Sequence, residues 1–186
     1  MLLMGVLNSV KAIGEAVFSE CSSLTKIELN TFYKCTSLNE ITIPDSVIEI
    51  GNSSFSGCNS LTNVKFENSI KTISSSTFKD CSKLENINLP DSLNKISSFA
   101  FNNCSSLTSI KIPNSVNEIL ANTFADCSKL DYVIIPNSIS TINRLAFSNT
   151  QNVKLYVPTL EAKTKVEEFN IDNITVDNII VGSPTK

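Results

Sequence analysis

Six cysteines recur in one setting. Cys21, Cys35, Cys58, Cys81, Cys104 and Cys127 each follow a phenylalanine by three residues and precede a leucine by three. From Cys35 onward they are 23 residues apart. A thiol at a fixed period could ligate metal, form a disulfide, attack a substrate or fill buried space. Zinc needs converging ligands from closely paired Cys or His, and the chain has no C-x-x-C pair and no histidine. A nucleophilic thiolate needs a base or an electropositive niche beside it, which six equivalent copies without histidine do not supply. Disulfides between successive copies come near the allowed Cα separation, but parallel side chains would have to twist toward one another. What remains is a small buried hydrophobe. The thiols are therefore expected to be free, buried fillers without chemistry, and a serine in their place should cost on the order of 1–3 kcal/mol. Ser46, Ser69, Ser92, Ser115 and Ser138 recur at the same period. No partner residue supports catalysis there, and their hydroxyls are expected to bond nearby backbone at a corner.

The elements that place these side chains follow from the rest of the period. Phenylalanines stand at 18, 32, 55, 78, 101, 124 and 147, and Thr150 takes the cysteine position of the last unit. The unit reads F-x-x-C-x-x-L-x-x-I-x-I-P-x-S-V-x-x-I, closed by a small residue before the next Phe. Its I-x-I aliphatics fall on one face of a short strand. Proline, at 44, 90, 113 and 136, ends that strand because it has no N–H to donate. S-V-x-x-I makes a second short extended run on the way back. One such coil cannot bury its apolar side alone, but a stack of them builds a continuous core.

This repeat resembles the BspA-like leucine-rich-repeat family over roughly residues 8 to 158. The resemblance implies a right-handed solenoid, mostly short parallel β-strands with short helical turns. It also implies a surface or secreted protein used in adhesion or host contact. Residues 1–158 are expected to form the solenoid, 159–181 a C-terminal cap of helix then strand, and 182–186 a frayed tail. Thr159 is a candidate N-cap, with Glu161 early in the first turn. The stretch near 18–31 breaks the pattern. Aligned on Phe18 and Cys21, it lacks nine residues, including the return run, and places Ile27 and Leu29 on the first strand. The N-terminal end, with no visible cap, is then an open edge where self-association is expected.

Composition excludes several functions. A net charge of -3 without a basic stripe gives nucleic acid little reason to bind. Without histidine the commonest general base and metal ligand are missing, so no catalytic residue, metal or cofactor is expected. No stretch approaches the ~18 apolar residues of a membrane helix. The start, with no basic region before its short apolar run, does not read as a signal peptide. An intracellular scaffold or regulator is thus the alternative to a surface protein, and the free cysteines favour it. The sequons at Asn52, Asn103 and Asn173 matter only if the protein is secreted.

Binding is expected on the first-strand face, the concave side in leucine-rich repeats. Its outward positions form rows, Lys26, Glu40, Asn63, Asn86, Ser109, Tyr132 and then Glu28, Thr42, Lys65, Asn88, Lys111, Ile134. Tyr132, Ile134 and Tyr156 should cluster at the C-terminal end as a protein-binding hot spot, unless the cap covers them. Asn63, Lys65, Asn86, Asn88 and Lys111 form the polar surround.

Overall fold

A computed structural model of the chain describes residues 11–13 and 23–184. Within them the chain coils into a parallel β-solenoid with little helix. The first-strand face carries β1 (Ala12–Ile13), β3 (Glu40–Ile43), β5 (Asn63–Phe66), β8 (Ser109–Lys111), β10 (Tyr132–Ile134), β12 (Lys154–Val157) and β13 (Ile179–Val181). The return face carries β2 (Lys26–Ile27), β4 (Glu49–Ile50), β6 (Thr72–Ile73), β7 (Lys95–Ile96), β9 (Glu118–Ile119) and β11 (Thr141–Ile142). All pairings are parallel, and most keep the 23-residue offset between repeats, as in Ile41 against Val64 and Tyr132 against Ser109, whereas Tyr132 meets Lys154 at 22. Alternation puts Ile41, Ile43, Ile110, Ile112, Val133 and Ile135 inside.

The third side of each coil is a run of turns. Their i→i+3 bonds, such as Cys58 N–H to Phe55 O at 3.1 Å, are those of a one-turn helix. Left-handed residues, two in each turn but the last, stop a helix from propagating: Asn30, Ser53, Ser76, Phe99 and Asn122 at one level, Lys34, Gly57, Asp80, Asn103, Asp126 and Asn149 at the other. Asn, Asp and Gly tolerate that conformation best, which explains Gly57, Asp80, Asn103 and Asp126 immediately before their cysteines, while Lys34 holds it without that advantage. The freed N–H groups reach the next coil instead, as in Phe55 N–H to Thr77 O at 3.0 Å and Phe78 N–H to Ala100 O at 2.8 Å. Under the turns, the rings of Phe32, Phe55, Phe78, Phe101, Phe124 and Phe147 stack nearly parallel, with centroids 5.1 to 5.6 Å apart.

The N-terminal coil differs from the sequence expectation. Ile13 pairs with Ile41 on the first face, and Ile27 pairs with Ile50 on the return face. Ser23 and Leu24 therefore take the places of Ser46 and Val47. Fourteen residues separate Ile13 from Ile27 where nine separate Ile41 from Ile50, so this coil is longer, not shorter. The confusion has a physical root, since Leu24-x-x-Ile27 satisfies both the L-x-x-I of the first strand and the V-x-x-I of the return. Leu29 shows which register holds, for at 60% exposure it does not face the core. Lys26 and Glu28 accordingly leave the binding rows. Lys26 lies on the return face with its Nζ 3.2 Å from Glu49. Phe18, Cys21 and the N-terminal end lie outside the described residues.

The first-strand ladder is interrupted. Residues 86–89 keep their place in the stack, and Ile87 is buried. Among the described residues, however, no backbone hydrogen bond joins 86–89 to either neighbouring coil. The return ladder also breaks there, because β7 and β9 belong to separate sheets. The coil of Ile87 and Ile96 is thus tied to that of Ile110 and Ile119 mainly through the turns, by Phe99 N–H to Ala121 O (3.2 Å), Phe101 N–H to Thr123 O (3.0 Å) and Asn103 N–H to Ala125 O (2.9 Å).

At the C-terminal end, α1 (Leu160–Glu167) starts at Thr159, whose Oγ1 accepts the Ala162 N–H at 3.1 Å. Ala162 and Val166 turn into the core, and a short 3-10 turn then leads into β13, which extends the first-face sheet beside β12.

Candidate binding face

Cys35, Cys58, Cys81, Cys104 and Cys127 are free and buried. Burial pushes Cys58 and Cys127 up to about 12, and Cys81 and Cys104 well above the ordinary thiol value. None is poised as a thiolate. They are more than fillers, though. Four of them point Sγ–H at the carbonyl of the Phe in the preceding coil: Cys58 to Phe32 O (3.1 Å), Cys81 to Phe55 O, Cys104 to Phe78 O and Cys127 to Phe101 O (each 3.2 Å). Thr150 repeats the bond with Oγ1 donating to Phe124 O at 2.6 Å, and it also accepts the Cys127 N–H at 3.1 Å. A hydroxyl therefore has a partner here, contrary to the expectation that it would be ill matched. The corner serines bond backward too: Ser69 to Val47 O (2.9 Å), Ser92 to Ile70 O (2.8 Å) and Ser138 to Val116 O (2.8 Å). Among the described residues, no group of three or more His, Cys, Asp or Glu side chains comes together to hold a metal ion.

The outward rows of the first-strand face lie where the pleat requires. Asn63 and Lys65 sit on β5, with Lys65 Nζ 3.2 Å from Glu67. Asn86 and Asn88 sit on the coil that has left the ladder. Lys111 is on β8, Tyr132 and Ile134 on β10, Tyr156 on β12. Tyr132 and Tyr156 meet edge to face, with ring centroids 5.7 Å apart and planes at 85°. Tyr156 is in register with both Ile134 and Ile180. All four side chains are half-buried, so the cap extends this surface without sealing it.

Five of the eight candidate residues line one groove of about 210 Å³, namely Asn86, Asn88, Lys111, Tyr132 and Ile134. Ser109 and Leu89 complete it. A second hollow of about 220 Å³ lies across the Lys111–Ile134 ridge and takes in Tyr156, Asn114 and Asn137. Asn63 and Lys65 line neither. Ile180 and the two corner asparagines were missed from sequence. The asparagines had a signal, since each follows a strand-ending proline. Ile180 had none, because its register depends on how the cap folds back.

The stacked coils, the Phe column and the corner serines define a leucine-rich-repeat protein. The chain belongs to the BspA type leucine rich repeat family, whose model matches residues 4–31 and 25–154 in 6 copies. Among solved structures it resembles a leucine rich repeat protein of T. pallidum, at 31% identity over 72% of this chain and 62% of that one, with a TM-score of 0.69. A leucine-rich repeat protein from Bacteroides ovatus is 27% identical over 72% of this chain and 43% of that one, with a TM-score of 0.59. The pneumococcal vaccine antigen PcpA shares the fold over 95% of this chain and 42% of its own, with a TM-score of 0.76 at 20% identity. The chain thus spans less than two thirds of each of these relatives. No curated protein matches it. Among the described residues, no helix is long and apolar enough to cross a membrane.

Proposed function

We propose that this chain is a non-enzymatic protein-binding module that docks its partner on the first-strand face. Tyr132, Ile134 and Tyr156 form the centre, and Lys111, Asn86 and Asn88 the polar rim, with Asn63 and Lys65 at its outer edge. The observation that carries this reading is the half-buried aromatic–aliphatic cluster beside a groove, on a face otherwise tiled by small polar residues. Binding energy concentrates where large rings can be desolvated. The setting we favour is the cell surface, in adhesion or host contact. A vaccine antigen with this fold supports that setting by analogy. Free thiols suit an intracellular scaffold, but thiols buried this deeply are also compatible with an oxidising compartment.

The test pans a phage-displayed library of short peptides on the immobilised chain and measures retained clones against variants. Tyr132→Ala should weaken binding about thirtyfold, the loss of a ~2 kcal/mol hot spot, while circular dichroism shows an intact fold. If the clones bind Tyr132→Ala as well as wild type, the hot spot is misplaced. Surface biotinylation of intact source cells decides the compartment. Labelling supports adhesion, and protection supports the scaffold.

A further inference from the structure

The groove at the break in the first-face sheet has a chemistry of its own. One wall is residues 86–89, whose backbone donors are not used by either neighbouring coil among the described residues. Thr108 Oγ1 lies 3.3 Å from both Asn86 Oδ1 and Glu85 O and shares its one proton between them, while Asn86 Nδ2 has no hydrogen-bond partner among the described residues. The other wall presents Ser109, Lys111, Tyr132 and Ile134. Lys111 is exposed and, unlike Lys65 and Lys154, which sit within 3.4 Å of Glu67 and Asp131, has no acidic partner among the described residues. The groove therefore joins hydrogen-bond donors, one uncompensated cation and an aromatic–aliphatic wall. At about 210 Å³ it is smaller than the ~300–1,000 Å³ of sites that enclose a whole small ligand. It has room for one or two side chains of a larger partner.

We infer that this groove receives an acidic side chain of a protein partner, flanked by an apolar one. The carboxylate meets Lys111 and the donors of Asn86 and Asn88. The neighbouring apolar side chain packs on Tyr132 and Ile134, or across the ridge against Tyr156. The inference rests on the protein-binding reading and deepens it by naming the partner's chemistry. Charge complementarity selects this occupant, because a basic partner would bring its charge onto Lys111 with no nearby acid to offset it.

The test uses the peptides recovered by panning. Selected sequences should be enriched in Asp or Glu next to an apolar residue. Replacing that Glu by Gln in the peptide should weaken binding at least tenfold, and so should Lys111→Glu in the protein. Because Lys111 is exposed, Lys111→Glu is expected to fold normally, which its melting temperature checks. A peptide with Lys in place of that Glu should bind Lys111→Glu better than wild type. If peptides bind and depend on Tyr132 but show no acidic enrichment, or ignore Lys111→Glu, the inference is wrong and the docking face stands. If no peptide is retained, or binding ignores both Tyr132→Ala and Lys111→Glu, both readings fail together.

Discussion

Replacing Cys104 by threonine or by valine separates space filling from hydrogen bonding, because the two replacements share a shape and differ in one donor. Cys104 is fully buried, and its Sγ–H reaches Phe78 O at 3.2 Å. That carbonyl also accepts the Cys81 N–H at 3.2 Å, so it keeps one partner when the thiol goes. The penalty of valine is then the net worth of one hydrogen bond, about 1 kcal/mol, and not the larger cost of an orphaned buried carbonyl. Threonine should restore the bond in a shorter form, as Thr150 does at 2.6 Å to Phe124 O. The expected order is threonine at or above wild type, with valine about 1 kcal/mol below threonine. Urea denaturation with unchanged m-values checks it, since equal slopes mean that only stability moved. If valine equals or exceeds threonine, the periodic thiols are fillers and the carbonyl contact contributes nothing.

Stability should fall in alkali. The folded protein keeps the Cys58, Cys81, Cys104 and Cys127 thiols protonated far above their ordinary range, while the unfolded chain releases those protons from about pH 8.5. The unfolded state then binds fewer protons, so stability present below ~pH 8 is lost as pH rises toward 12, by roughly 1.4 kcal/mol per thiol per pH unit. Melting temperatures at ~pH 8 and ~pH 10 measure this, and a flat profile would contradict the burial. Phe99 holds φ 60 while Asn30 and Asn122 occupy its place in other coils. Phe99→Asn should therefore stabilise by about 0.5–1 kcal/mol, net of the ring's partial burial and its contact with Lys79, and a lowered melting temperature would show that those contacts outweigh the strain. Finally, native-state hydrogen exchange should find the amides of 86–89, 117 and 120 opening faster than their equivalents in other coils, because both strand ladders break there. Uniform protection along the array would refute that seam.

The period was legible because it is dictated by bulk physics. Phe, Leu and Ile must return to one axis every 23 residues, so the core and the parallel stack could be read from spacing alone. Features that depend on which of two equivalent patterns wins were not legible. Leu24-x-x-Ile27 fits either strand, and only its pairing with Glu49–Ile50 decides. The mostly polar position before the cysteines was visible, but from Lys34 to Asp126 its cause is a left-handed backbone that no side-chain pattern states directly. The binding candidates were readable as rows. That five of them would line one groove was not, since the groove lies against residues 86–89, where ladder bonds are missing although the sequence keeps the repeat intact.

That intact repeat bears on how the face could serve a partner. Residues 86–89 carry the inward Ile87 and lead into Pro90 as the next coil leads into Pro113, so core packing holds this coil in the stack even though its ladder bonds are not made. Core and ladder are thus separable here. The Phe column and the turn-to-turn bonds run through the seam, with Phe78, Phe101 and Phe124 spaced 5.6 Å apart on either side. The outward face can therefore carry the exposed Asn86 and Asn88 side chains over an interrupted ladder without breaking the solenoid. On this coil the array continues unbroken beneath, and the exposed amides of Asn86 and Asn88 stand beside Lys111 and Tyr132.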